Sequence, residues 1–362
     1  YREPPGPTHR CRHLTRHDHR GHRRLLQAAF RAPVMAGYVS RMSTEMAQQV
    51  ARWPRGETFK FYPAIKDLTL RIGASVFLGL DTDAPEAERL NRLFSAEVAA
   101  IVSIIRRPLP WTKMGRGVAA RRRLSAALAA MIPERRARPG DDFFSQMCVA
   151  TDEGGQSWSD AEIVDHFNFL LAAAHDTTAS ALSTMIWGLG AHPEWQDRLG
   201  DEVLAARDLT TPQGLGGLVQ TDRVFREALR MMPPVPFILR RALRDFDWHG
   251  HRVPAGSWVY VSPALVMRDP TYFTAPERFD PDRFAPERNE GTGHRFAYAP
   301  FGGGAHKCIG MHFAGYQAKA FTAALLRQGR VSLVGGAEPD WQAVPVPLPR
   351  NGLPVRLESL AG

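Results

Sequence analysis

The chain has 362 residues, 44% hydrophobic and 23% charged, enough for one large domain or two ordinary ones and for a core that encloses a cofactor. Its formal charge of +9, from 46 basic and 37 acidic residues, suits an acidic partner, a membrane surface or nucleic acid. The lack of zinc-finger spacing, RNA-binding aromatics and basic heptads sets nucleic acid aside, three irregularly spaced cysteines argue against a disulfide framework and for a reducing compartment, and no run of about 18 apolar residues could span a membrane.

Residues 1–24 carry arginines at 2, 10, 12, 16, 20, 23 and 24 against Glu3 and Asp18. His9, His13 and His17 recur every four residues, but Pro4, Pro5 and Pro7 precede them and no carboxylate or cysteine completes a metal site. His19 and Arg23 share a helix face just ahead of the apolar run Leu25, Leu26, Ala28, Ala29 and Phe30. Helical segments follow at 34–50, 65–78, 86–105 and 118–136, separated by Pro54 with Gly56, Gly79 with Pro85, and Pro108 with Pro110. A short helix is expected over 141–150.

Ser159-Asp160-Ala161-Glu162 reads as a capping box, opening a helix that runs to about Ala191, where His192-Pro193 closes it. About thirty residues at roughly 1.5 Å each cross a whole domain. Near its middle, Ala173-Ala174-His175-Asp176-Thr177-Thr178 places polar residues that are locally unfavourable in a helix. Their spacing puts Leu170, Ala174, Thr177, Thr178 and Ala181 on one face. Further helices are expected at 193–206 and 221–231, the second holding Glu227 and Arg230 at i and i+3. Residues 235–262 turn to β character, with 246–260 reading as a hairpin around glycine turns. A proline-rich irregular stretch, 263–298, leads to Phe301-Gly302-Gly303-Gly304-Ala305-His306-Lys307-Cys308-Ile309-Gly310 and a helical run from Met311 to Arg327. Short strands broken by prolines close the chain at 331–357.

The glycines before Cys308 allow positive φ and close approach to a bulky object. The helix after it aims unpaired N–H groups and a positive dipole end at the sulfur, conditions that favour a thiolate and metal ligation. A small buried cysteine behind an ordinary loop is the alternative. The pattern Phe-x-x-Gly-x-x-x-Cys-x-Gly, carried by Phe301, Gly304, Cys308 and Gly310, resembles the haem-binding loop of the cytochrome P450 family. Three further elements agree in order: His19 with Arg23, Asp176 with Thr177, and Glu227 with Arg230 followed by Pro276-Glu277-Arg278-Phe279.

The resemblance implies a mainly α fold with a small β part (α+β), a triangular helical prism around a buried haem. It implies a single domain over 1–362, α-rich at about 17–232 and 308–328 and β-rich at about 235–262 and 331–358. Haem b is the implied cofactor, with Cys308 its axial iron ligand and Phe301, Gly302 and Gly310 shaping the loop. His19, Arg23, Arg240 (or its neighbour Arg241) and His306 would hold the propionates as charge-assisted donors. Asp176 and Thr177 would relay protons on the oxygen side, where small Ala174 leaves room. Glu227, Arg230 and Arg278 would form a buried structural triad. Leu170, Ala173, Val235, Pro236 and Phe237, with Val344 to Val346, would border a small apolar substrate such as a lipid, steroid, terpenoid or secondary metabolite.

The implied activity is monooxygenation with O2, electrons coming from NAD(P)H through a separate ferredoxin and ferredoxin reductase. The acidic partner would dock near Lys307, Arg23 and Arg24. The form of the loop from Gly302 to Ala314 resembles the sterol- and retinoid-oxidising branches. A monomer is expected, cytoplasmic provided that no membrane anchor precedes these residues; the helices, strands and pocket roof that precede the His19 helix in the family are missing from this sequence, which is either a fragment or a shortened variant. A peroxide-driven haem enzyme and a non-catalytic haem-binding protein are the alternatives.

Overall fold

The structure, a computed structural model, describes residues 16–101, 103–151, 155–335 and 339–359. Of the histidines that recur every four residues, His9, His13 and the side chain of His17 lie outside the described residues. Elsewhere among these residues no group of three histidine, cysteine or acidic side chains could hold a metal ion, and no helix is long and apolar enough to cross a membrane.

The fold is mainly helical with small sheets. Helices α1 (Arg16–Ala28) and α2 (Ala32–Ala51) lead through β1 (Thr58–Lys60) to α3 (Phe61–Ile72), which continues as a π turn over Gly73–Phe77. Helix α4 (Pro85–Ile101) and α5 (Lys113–Ala137) form a packed pair, followed by α6 (Phe143–Val149). The expected extension of α4 to residue 105 does not form. Its last turn closes through the Ser103 N–H on the Ala100 carbonyl, and the chain then runs to Pro108 and Pro110, which cannot continue a helix.

Helix α7 (Asp160–Ala191) is the axis of the molecule. The capping box forms as the sequence predicts: Ser159 Oγ accepts from the Glu162 N–H, and a Glu162 carboxylate oxygen accepts from the Ser159 N–H at 3.0 Å. That satisfies donors an uncapped helix would leave open, a contribution of about 1 kcal/mol. From Thr178 to Ile186 every residue is buried, in a helix that α3, α5, α10 and β6 pack against along its length. Helices α8 (Pro193–Ala205), α9 (Pro212–Gly216) and α10 (Val219–Met231) follow.

Strand β2 (Ile238–Arg241) does not pair with its immediate successors. The hairpin joins only β3 (Phe246–Trp248) and β4 (His251–Val253), while β5 (Trp258–Val261) turns away to pair antiparallel with β2. The expected 246–260 hairpin is therefore half its length: Pro254 cannot donate to a ladder, and Gly256 at φ +85° turns the chain towards β2. After α11 (Pro263–Val266) and the irregular stretch, α12 (Met311–Leu326) packs against α2 and α10. Strands β6 (Arg330–Leu333) and β9 (Pro354–Glu358) form a sheet with β1, and β7 (Trp341–Gln342) pairs with β8 (Leu348–Pro349).

The irregular stretch is held by charge. Glu227 on α10 accepts from Arg230 Nε at 2.7 Å, from Arg283 Nε at 3.0 Å and from the Asp280 N–H at 2.9 Å, and all three side chains are 0% exposed. Arg283 also donates to Glu290 at 2.6 Å and to the Thr274 carbonyl at 2.9 Å. This corrects the expected triad: Arg278 is exposed and lends only its backbone carbonyl, to Arg230 and Arg283. The pattern Pro-acid-Arg-Phe occurs twice, at 276–279 and 281–284. In the second copy a 3-10 turn points the arginine inward, whereas the first sends Phe279 against α7, where a Cβ on Gly188 would stand 2.4 Å from its ring.

Two buried histidines complete the frame. His166 on α7 stacks on Trp158 and meets His22 of α1 at 2.6 Å, and burial, with the neighbouring His22, holds its pKa down to about 4. Burial likewise lowers His175, to about 4.

Two outcomes follow. Arg283→Ala should lower stability by about 3–5 kcal/mol by stranding a buried carboxylate, and Arg278→Ala should stay within about 0.5 kcal/mol of the parent, read as urea midpoints; equal effects would reassign the third member. Both histidines bind protons more weakly folded than unfolded, so their contribution is complete above pH 6.5 and is lost as pH falls from there towards 4. Melting temperature should fall over that window, and His166→Gln should flatten the fall.

Candidate haem-thiolate site

The cysteine loop is built as the glycine pattern predicts. Gly302 and Gly304 both take φ +67°, and the Cys308 N–H closes the loop on the Phe301 carbonyl at 2.9 Å. Gly303 has ordinary φ, but a Cβ there would meet the Phe296 ring at 2.5 Å. Gly310 caps α12, and its N–H reaches the Cys308 sulfur. The thiol is exposed on the surface of the folded chain. Desolvation by the surrounding loop raises its pKa, opposed by the Gly310 N–H and by Arg23. An open recess of about 410 Å³ lies beside the loop, lined among others by Arg295, Phe296, Phe301, Lys307 and Met311.

Two separate elements, α1 and β2, bring basic side chains to this loop. The rings of His19 on α1 and His306 lie 4.2 Å apart, and Arg23 donates to the Lys307 carbonyl at 2.7 Å. Arg240 on β2 acts on His306 as well, and Ile238 of the same strand stands 3.5 Å from where a Cβ on Gly302 would be. Arg241 instead bonds the Gly256 carbonyl and lies over Trp258, so Arg240 is the arginine that faces the loop. Burial lowers the His306 pKa first, and His19, Arg240 and Arg23 lower it further. The permanent charges acting on that imidazole, Arg240 and Arg23, are both cationic, while burial and Arg23 favour the neutral form of His19. Such a cluster is electrostatically incomplete and calls for an anion beside it.

On α7 the structure corrects the helix face. Leu170 is only 8% exposed, and Ala174 lines a small enclosed cavity of about 30 Å³ together with Thr69, Leu171, His175 and Gln317. The open face instead runs through Phe169, Ala173 and Thr177 at i, i+4 and i+8, with Phe169 39% exposed. Spacing by four back from Thr177 reaches Phe169, but which face of α7 stays open is decided by the elements that cover the other. Thr177 Oγ1 donates to the Ala173 carbonyl at 2.6 Å, while buried Thr178 donates to Gln317 of α12. Asp176 turns from that face towards α3, where Lys66 Nζ stands 2.8 Å from its Oδ1. Val235 and Phe237, at 45% and 49%, remain exposed on the segment entering β2.

These residues fit a haem. An accessible thiol, a cation cluster lacking its anion, and exposed apolar side chains match an iron ligand, two propionates and a flat apolar macrocycle. Haem is the iron cofactor that the fold implies.

The family model described as Cytochrome P450 matches residues 6–347. Cytochrome P450 136 of Mycobacterium tuberculosis is 38% identical over 348 residues, covering 94% of this chain and 70% of that protein. Pentalenene oxygenase of Streptomyces avermitilis is 33% identical, covering 94% and 77%. Among solved structures, retinoic acid-bound cyanobacterial CYP120A1 superposes with a TM-score of 0.85 at 30% identity, covering 94% of this chain and 79% of that one. With the cysteine loop, the buried Glu-Arg-Arg network and a family match over nearly its whole length, the chain belongs to the cytochrome P450 monooxygenases.

Proposed function

We propose that this P450 oxidises a terpenoid or retinoid-like apolar small molecule, with electrons from NAD(P)H delivered by a separate acidic ferredoxin-type protein. The observation that carries the substrate class is the kinship just described. Its relatives include pentalenene oxygenase and a cyclooctat-9-en-7-ol 5-monooxygenase of Streptomyces melanosporofaciens, the latter 32% identical over 88% of this chain, and the related solved structure holds retinoic acid. The exposed apolar residues Phe169, Ala173, Val235 and Phe237 suit such a molecule.

When bound, the haem supplies the redox-active iron at which dioxygen is reduced and one of its atoms enters the substrate. Cys308 would hold the iron as a thiolate, giving up its proton on ligation. His19, Arg23, Arg240 and His306 would pair with the propionates, and Phe301 and the glycines would shape the loop against the ring. Thr177, whose hydroxyl bonds its own helix, and Asp176 would hold and move protons for the reaction. Apolar Phe169, Val235 and Phe237 would exclude water from the substrate. The exposed basic rim around the recess, Arg295 and Lys307, suits docking of an acidic electron donor.

The deciding measurement is the absorption spectrum of the reduced protein under carbon monoxide. The red-shifted band of a thiolate-ligated haem is expected, with loss of the band in Cys308→Ala; a band that survives the substitution would overturn the ligand assignment. Pentalenene and retinoic acid should perturb the ferric spectrum saturably, and silence from both would exclude the substrate class. Asp176→Asn should cut product formed per NADPH consumed by about 10-fold or more with the carbon monoxide band intact. Turnover driven by peroxide alone would refute the reductive route.

A further inference from the structure

Asp176 stands at an interface that its role as an acid does not by itself explain. One turn of α3, from Lys66 to Thr69, faces two consecutive residues of α7, His175 and Asp176. Lys66 Nζ lies 2.8 Å from Asp176 Oδ1, and His175 Nε2 lies 3.7 Å from the same oxygen. That oxygen is buried and accepts no well-formed hydrogen bond. On the other side of the ring, His175 Nδ1 meets Thr69 Oγ1 at 2.8 Å. Both His175 and Thr69 are buried, so neither can turn to water.

The Thr69 hydroxyl has one proton and two acceptors in reach, the Lys66 carbonyl at 2.9 Å and His175 Nδ1. If the proton goes to the carbonyl, His175 must carry its hydrogen on Nδ1. A bare Nε2 then faces a buried carboxylate oxygen, two acceptors opposed without a donor between them. If it goes to Nδ1, the ring hydrogen sits on Nε2 and points at the Asp176 oxygen that Lys66 also faces. Only the second arrangement serves both buried groups, and the Lys66 carbonyl keeps its helical N–H partner.

We propose that Lys66, Thr69 and His175 are positioning residues for Asp176. Thr69 holds His175 in the Nε2–H tautomer, and that N–H together with the Lys66 ammonium keeps the carboxylate on the α3 side of α7, turned from the face that carries Thr177. The charged and titratable groups around the pair are Lys66 and Tyr62 from α3 and Asp176 itself; from α4 only the Phe94 ring abuts His175, at 5.7 Å. Gly73, at the start of the π turn, faces Leu171 of α7 across the same interface. The value of this placement rests on the acid role proposed above for Asp176, but its geometry does not.

The test uses histidine-labelled holoprotein, reduced and bound to carbon monoxide, with the His175 ring nitrogens assigned by their loss in His175→Gln. At about pH 7 a protonated Nε2 and a bare Nδ1 are expected; a protonated Nδ1, or a doubly protonated ring, overturns the proposal. Thr69→Val should admit the other tautomer, and Thr69→Ser should restore the first. Lys66 opposes protonation of His175 and Asp176 favours it. The protonation midpoint of the ring should therefore move up in Lys66→Met, move down in Asp176→Asn, and lie between the two in the double variant. A midpoint indifferent to both substitutions would show His175 to be packing alone. Variants are compared only where the carbon monoxide band persists, with Lys66→Gln in reserve for Lys66→Met. No turnover enters the measurement, so its failure is separate from failure of the acid role.

Discussion

Glu227 on α10 lies beyond the reach of water and accepts from two guanidinium groups and a backbone N–H, and through these partners it organises a stretch with almost no regular structure of its own. A chain of some thirty residues without helix or sheet has few ways to satisfy its carbonyls. Here Arg230 and Arg283 take up the carbonyls of Met267, Thr274 and Arg278 after neutralising Glu227. The neighbouring turn of α10 extends the same grip, since Arg226 covers the rings of Phe284 and Tyr298, and the Tyr298 hydroxyl donates to the Arg226 carbonyl. Tyr298 is three residues from Phe301. The position of the cysteine loop thus descends from a helix more than seventy residues earlier.

The chemistry of the site is divided between elements in a similar way. The loop offers sulfur, α1 and β2 bring positive charge, and α7 brings an acid, a hydroxyl and apolar surface. None of these elements has the complete set, so the fold's task is registration. Strand β2 does part of it by packing Ile238 under Gly302 while Arg240 acts on His306. Helix α12 does another part by ending its N-terminus at Gly310, whose N–H meets the sulfur.

Much of this was legible in the residues because the signals were local. The capping box at Ser159 and Glu162, Pro193 closing α7 and opening α8, and the glycines before Cys308 each act within a few residues of themselves. What escaped depended on distant partners. Two copies of Pro-acid-Arg-Phe are equivalent until the buried carboxylate chooses between Arg278 and Arg283. The open face of α7 is decided by which helices cover the other side, so Ala174 and Leu170 turned inward and Phe169 outward. Likewise β5 fits a hairpin by composition but pairs with β2, and Lys66 and Thr69 look like ordinary helix-surface residues until α3 lies against α7.

Helix α1 carries His19 and Arg23, yet it is thirteen residues long and, among its described side chains, buries only Leu25 fully. Its remaining attachments are polar, through His22 to His166 and through Arg23 to the cysteine loop. In biogenesis terms, insertion of the prosthetic group would close the last charge contacts of α1. Cellular proteolysis could then read that helix as a gauge of maturation, sparing loaded molecules and clearing unloaded ones.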